Sequence, residues 1–249
     1  MLACFALLSG CVTTNEEGAV LPSSKPDLKE AARLNTQLGV DYMRRGEDQL
    51  AMEKLQRALG QDDSLALTHV SLAYLYAKRG EKKEAEQQYR RALSLEPENS
   101  LAANNFGVFL CSHGEPAEAV KYFVQAARDP DYNAQAAAWT NAGVCSRKLS
   151  DNESAEKYLR QALKIDPRFP DALSQMARLA FEKRDYLKAR AFLQRYEAVG
   201  RPTAETLDIG ARTEAALGDQ AAARRYRDKL QTLFPDVDES SDEMPSPAS

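Results

Sequence analysis

Residues 66–99 read ALTHVSLAYLYAKRGEKKEAEQQYRRALSLEPEN, and this stretch decides the fold. Arg79-Gly80-Glu81 is a turn signal that divides it into two helical halves. Ala73 is a small residue in the first half, and Ala85 is another in the second. Tyr89 follows Ala85 by four positions and so lies on the same helical face. Pro97 stops the second half, because proline has no N–H to donate and restricts the residue before it. The same order recurs on both sides. Ala51, Ala85, Ala119, Ala155, Ala189 and Ala223 are separated by 34, 34, 36, 34 and 34 residues. Gly39, Ala73, Gly107, Gly143, Ala177 and Ala211 keep the same steps, and all are small. Leu55, Tyr89, Phe123, Leu159 and Leu193 keep them with large apolar residues. A period of this size marks a repeat array.

The pattern resembles the tetratricopeptide repeat (TPR), two antiparallel helices in 34 residues. The resemblance implies an all-α fold: a right-handed superhelical solenoid of about six helix-turn-helix units. The physical reading agrees, since a small residue on each helix lets the pair approach to about 8–10 Å. The units fall at 32–65, 66–99, 100–135, 136–169, 170–203 and 204–236, within a repeat domain of 31–236. The third carries two extra residues, placed near Arg128-Asp129-Pro130-Asp131-Tyr132. In the sixth, Glu214 and Arg227 replace apolar residues, as expected where a terminal unit faces water.

Charge is distributed unevenly. The chain carries a net −4, yet residues 236–249 hold Asp236, Asp238, Glu239, Asp242 and Glu243 and no Lys or Arg. The remainder is nearly neutral, so it lacks the concentrated basic face that nucleic acid requires. Residues 237–249 have too few apolar side chains to order themselves and read as a disordered acidic tail. At the other end, Leu8-Ser9-Gly10-Cys11 closes a short apolar run and resembles a bacterial lipobox. That likeness implies a signal peptide at 1–10, removal of Cys4 with it, and lipidation of Cys11. Val12 rather than Asp after the cysteine implies delivery to the outer membrane, with the body on its periplasmic face. Residues 11–30 contain Gly18, Pro22 and Pro26 and read as the lipidated cysteine followed by a flexible tether.

Cys111 and Cys145 then remain, on the first helices of the third and fourth units. Neighbouring positions in an oxidising compartment favour a disulfide between them. A pair of buried free thiols and a zinc site completed by His113 are the alternatives. First helices of such repeats line a groove for a segment of another protein. The candidate lining is Arg33, Thr36 and Val40; Val70, Tyr74 and Lys78; Leu101, Asn104 and Val108; and Thr140, Val144 and Lys148. The amides of Asn104, Asn105 and Asn141 can clamp a peptide backbone or brace neighbouring helices. With two histidines and no phosphate loop, H-E-x-x-H or G-x-S-x-G, no catalytic set, metal site, cofactor or small-molecule substrate is expected.

Asn104-Asn105-Phe106-Gly107-Val108-Phe109-Leu110-Cys111 resembles the third-repeat motif of the PilF/PilW family of type IV pilus biogenesis lipoproteins. Asn141-Ala142-Gly143-Val144-Cys145 resembles its fourth-repeat partner, and Asp166-Pro167-Arg168-Phe169-Pro170 and Leu233-Phe234-Pro235 fit as well. The resemblance implies a pilotin, a protein that binds secretin subunits and promotes their localisation and multimerisation at the outer membrane. The alternative is an adaptor resembling the NlpI family, which scaffolds periplasmic proteases or cell-wall hydrolases.

Overall fold

The structure, a computed structural model, describes residues 27–236. Among these residues it contains twelve α-helices and no strand. They form six hairpins: α1 (Leu28–Arg44) with α2 (Asp48–Gln61), α3 (Ala66–Lys78) with α4 (Lys82–Leu95), and α5 (Ser100–Ser112) with α6 (Pro116–Arg128). α7 (Gln135–Lys148) pairs with α8 (Asn152–Ile165), α9 (Pro170–Glu182) with α10 (Tyr186–Glu197), and α11 (Ala204–Ala216) with α12 (Gln220–Leu233). Cys11, the signal-peptide reading and the tail at 237–249 lie outside the described residues. The expected tether ran to residue 30, but α1 begins at Leu28. Its cap is Asp27, whose carboxylate accepts from the backbone N–H groups of Lys29 (3.0 Å) and Glu30 (3.2 Å). Those donors have no partner within the helix, so the cap fixes its start.

Two sequence features close each hairpin. The turns need one residue in the left-handed region, and Gly46, Gly80, Gly114 and Gly218 supply it at φ 75° to 93°. The fourth and fifth units place Ser150 (φ 59°) and Arg184 (φ 57°) there instead. The small residues permit contact at backbone distance. A Cβ on Gly107 would fall 2.8 Å from Phe123 Cε1, and one on Gly143 would fall 2.8 Å from Leu159 Cγ.

The sixth unit departs from expectation. Its caps keep the step, Asp185 to Asp219. Its close pair, however, is Gly210 against Tyr226, one residue before Ala211 and Arg227 on each helix. Glu214 does not face water. It is buried, and Arg190 of α10 donates to it through Nε at 2.8 Å. A carboxylate leaves water here because a guanidinium fork meets both its oxygens.

Stacking follows from which helices touch. Each first helix contacts the next first helix: α1 with α3, α3 with α5, α5 with α7, α7 with α9 and α9 with α11. The backbones of second helices come close only to those of first helices, and α4 and α6 meet through side chains, as in the Arg90–Glu118 pair at 3.8 Å. The row in direct mutual contact occupies the shorter arc, so first helices form the inner wall of a curved stack. The largest continuous core lies in the second to fourth units and includes Tyr89, Phe106, Phe109, Leu110 and Phe123. Tyr89, Phe106 and Phe109 pack as an aromatic trio with centroids 5.4 to 6.2 Å apart. The longer connection after the third unit is tied down by Asp129. Ser100 Oγ donates to its carboxylate (2.6 Å), and Gln135 Nε2 donates to its carbonyl (2.7 Å).

Candidate functional site

The candidate lining residues fall into rows, because equivalent positions recur up the inner wall. Three of the four members of one row do not line a groove. Thr36, Val70 and Thr140 are buried, and Asn104 at the same repeat position is half-buried. This row faces the first helix of the following unit. Thr36 Oγ1 donates to Ala32 O (2.8 Å) and shares a hydrogen bond with Thr68 Oγ1 (2.7 Å) across the joint. Val70 belongs to the central core. Thr140 returns its hydroxyl to Ala136 O at 2.8 Å. Asn104 Oδ1 accepts from Asn141 Nδ2 at 3.2 Å, which makes this amide pair a brace between α5 and α7.

Four positions along, the row is different. Tyr74 (47% exposed) and Val108 (48%) stand out from the wall, with Val40 and Val144 half-buried beside them. Leu67 and Leu101 form a second exposed apolar row toward the helix N-termini. The repeat itself could have found Leu67, since it precedes Leu101 by one period. Arg33 is exposed on α1 and pairs with Glu30 at 3.6 Å. Toward the helix C-termini lie Lys78 and Lys148, both exposed.

Tyr74, Lys78 and Val108 come together in one open pocket of about 350 Å³ between α3 and α5. Asn105, Phe109, Ser112 and His113 complete its wall. The Phe109 ring is held flat by His113, whose imidazole stacks on it at 4.3 Å and bonds through Nδ1 to Phe109 O at 2.7 Å. Asn105 makes no side-chain hydrogen bond to another described residue, so both ends of its amide are available at the pocket edge.

α5 and α7 are joined by a disulfide between Cys111 and Cys145, whose Cα atoms are 6.0 Å apart. With their sulfurs bonded to each other, Cys111 and Cys145 offer no thiolate to share a zinc ion with His113. Lys148 Nζ reaches back over the bridge to donate to Cys111 O at 3.0 Å, beside the pocket residue Ser112. Lys78 is anchored differently. Asp48 at 2.5 Å holds its ammonium above the ordinary lysine range.

Beyond α1, charge divides the wall in two. α3, α5 and α7 contain no Asp or Glu. On α9 and α11 the row of Tyr74 and Val108 continues as Arg178 and Arg212, and carboxylates appear next to them. Arg178 Nη1 meets Glu205 at 2.9 Å, Arg147 donates to Glu182 at 2.5 Å, and Arg212 lies 3.4 Å from Asp208. The inner surface of the last two units is thus internally paired, whereas that of the second to fourth is apolar and short of anions.

Comparison with known proteins places this geometry. Family profiles described as tetratricopeptide repeat match residues 66–99, 112–168 and 147–205. The type IV pilus assembly protein PilF of Pseudomonas aeruginosa is 29% identical over 228 residues, spanning 92% of this chain and 90% of PilF. A solved structure of Pseudomonas aeruginosa PilF superposes with a TM-score of 0.78 at 29% identity, covering 84% of this chain and 95% of that one. The crystal structure of PilW, a widely conserved type IV pilus biogenesis factor, superposes with a TM-score of 0.76 at 33% identity, covering 84% of this chain and 96% of PilW.

Proposed function

We propose that this chain, which belongs to the PilF/PilW family of type IV pilus biogenesis proteins, is an outer-membrane lipoprotein that binds secretin subunits and promotes their multimerisation. The observation that carries the reading is the apolar, anion-poor inner wall of the second to fourth units, in a chain similar to PilF and PilW along nearly their whole lengths. A stacked-helix wall offers shape and side chains for another polypeptide, so the role is one of binding rather than bond-making. Acylation of Cys11 would supply the address and the wall the cargo contact. Joining the two raises the effective concentration of the cargo at the membrane. The disulfide between α5 and α7 suits an oxidising periplasm.

Gene deletion tests the reading directly. Secretin multimers resistant to heat and detergent should be lost, together with twitching motility. The wild-type gene should restore both, and a gene carrying Tyr74→Glu and Val108→Glu should restore neither. Unchanged multimers and normal twitching would overturn the proposal and leave the NlpI-like adaptor as the reading to pursue. Cys11→Ser should abolish incorporation of radiolabelled palmitate; continued labelling would refute the assigned anchor.

A further inference from the structure

The proposal above names a surface but not the character of what it holds. The inner helices of the second to fourth units are carboxylate-free along their whole length, while they carry Lys78, Arg147 and Lys148. Two of these cations already have anionic partners: Asp48 for Lys78 and Glu182 for Arg147. Lys148 has none among the described residues. Its ammonium touches only the Cys111 carbonyl, at 3.0 Å. That bond places the charge at the C-terminal end of α5, next to Ser112 and His113 of the pocket. On the opposite side of the pocket row run Leu67 and Leu101, both exposed. The wall therefore has an apolar floor, a leucine edge and a cationic edge, and the cationic edge is not fully compensated.

We propose that this wall takes an acidic amphipathic segment of another polypeptide. An apolar side chain of that segment fills the pocket between Tyr74 and Val108, and a carboxylate meets Lys148. The Asn105 amide, free at both ends, bonds the segment's backbone or a polar group beside the anchor. Charge sets the choice of partner here more than the strength of binding. An edge pair contributes little energy, but a like charge in its place is repelled. The inference deepens the reading of the protein as a binder of pilus-assembly polypeptides, and rests on it.

Two synthetic fluorescein-labelled peptides decide the matter. They share leucine, phenylalanine and alanine positions along one helical face and differ only in carrying Glu or Lys elsewhere. Titrated by anisotropy with the full chain at low salt, the Glu peptide should bind at least about fivefold more tightly than the Lys peptide. The preference should fade at high salt, survive Lys148→Arg, and vanish or invert in Lys148→Glu. Both lysine variants alter an exposed side chain, and an unchanged circular dichroism spectrum checks their fold. Equal binding of the two peptides, binding of neither, or a preference indifferent to Lys148→Glu overturns the inference. The deletion experiment reads out separately. A charge preference in a protein whose loss leaves pili intact would refute the pilus role and not the specificity.

Discussion

Gly107 lies where two helices approach closest, and alanine there would drive a methyl group to 2.8 Å from the Phe123 ring. Phe123 is buried among Tyr89 and Phe106 and has little room to give. Gly107→Ala should therefore destabilise the protein by about 1–3 kcal/mol in urea unfolding, although alanine is the better helix former. The turns make the opposite case. Arg184 holds φ 57° where four other units have glycine, so Arg184→Gly should raise stability by roughly 0.5–1 kcal/mol, the relief exceeding the added chain entropy. Thr36→Val leaves the buried Thr68 hydroxyl without its partner and should cost about 1–3 kcal/mol. Adding Thr68→Val should recover much of that loss, and a double-mutant cycle would measure the recovery.

Among elements, the joints between units differ in kind. α8 meets the turn after α9 through Glu156, which binds Arg160 at 2.7 Å and Lys183 at 2.8 Å. Lys183 first, then Arg160, holds this carboxyl at about 2, below its ordinary 4.5. A carboxyl so depressed stabilises the fold in full above 4.5 and loses that contribution as the pH falls toward 2. The stability gap between the native chain and Glu156→Gln should accordingly narrow as pH is lowered from about 5 toward 3, and narrow further with salt, since the pair is solvent-exposed. The α5–α7 joint is covalent. Its bridge closes a loop with a separation of 34 residues, so reduction should lower unfolding free energy by about 3–4 kcal/mol in the chain-entropy account.

Those joints also explain what the sequence could tell. The helices, their pairing and the small-against-large contacts were legible because each repeats at a fixed step, from Ala51 to Ala223. The inner wall was legible only in part. A first helix in a stack buries three faces: one on its own partner, one on the preceding unit and one on the next. Thr36, Val70 and Thr140 lie on the face turned to the next unit, just one helical turn from the exposed row of Tyr74 and Val108. Hydropathy does not separate such neighbours, because a threonine can end its hydroxyl on its own helix, as Thr140 does. Glu214 was opaque for a related reason, since its partner Arg190 is distant in sequence. The start of α1 is marked in the sequence by Asp27 followed by Glu30, an acidic cap ahead of an acidic first turn.

At the scale of the whole molecule, the wall from the second unit to the sixth is two surfaces end to end. Salt should affect them unequally: the paired last two units loosen, while the apolar stretch before them is indifferent. Hydrogen exchange in rising salt should show faster exchange in α9 and α11 than in α3 and α5, and uniform acceleration would contradict this division. The bridge between Cys111 and Cys145 has a mechanical meaning as well. Layers of a solenoid are held only by their neighbours, so a force applied at one layer would peel that layer away from the next. Welding two adjacent layers makes them resist such a force as a single plate.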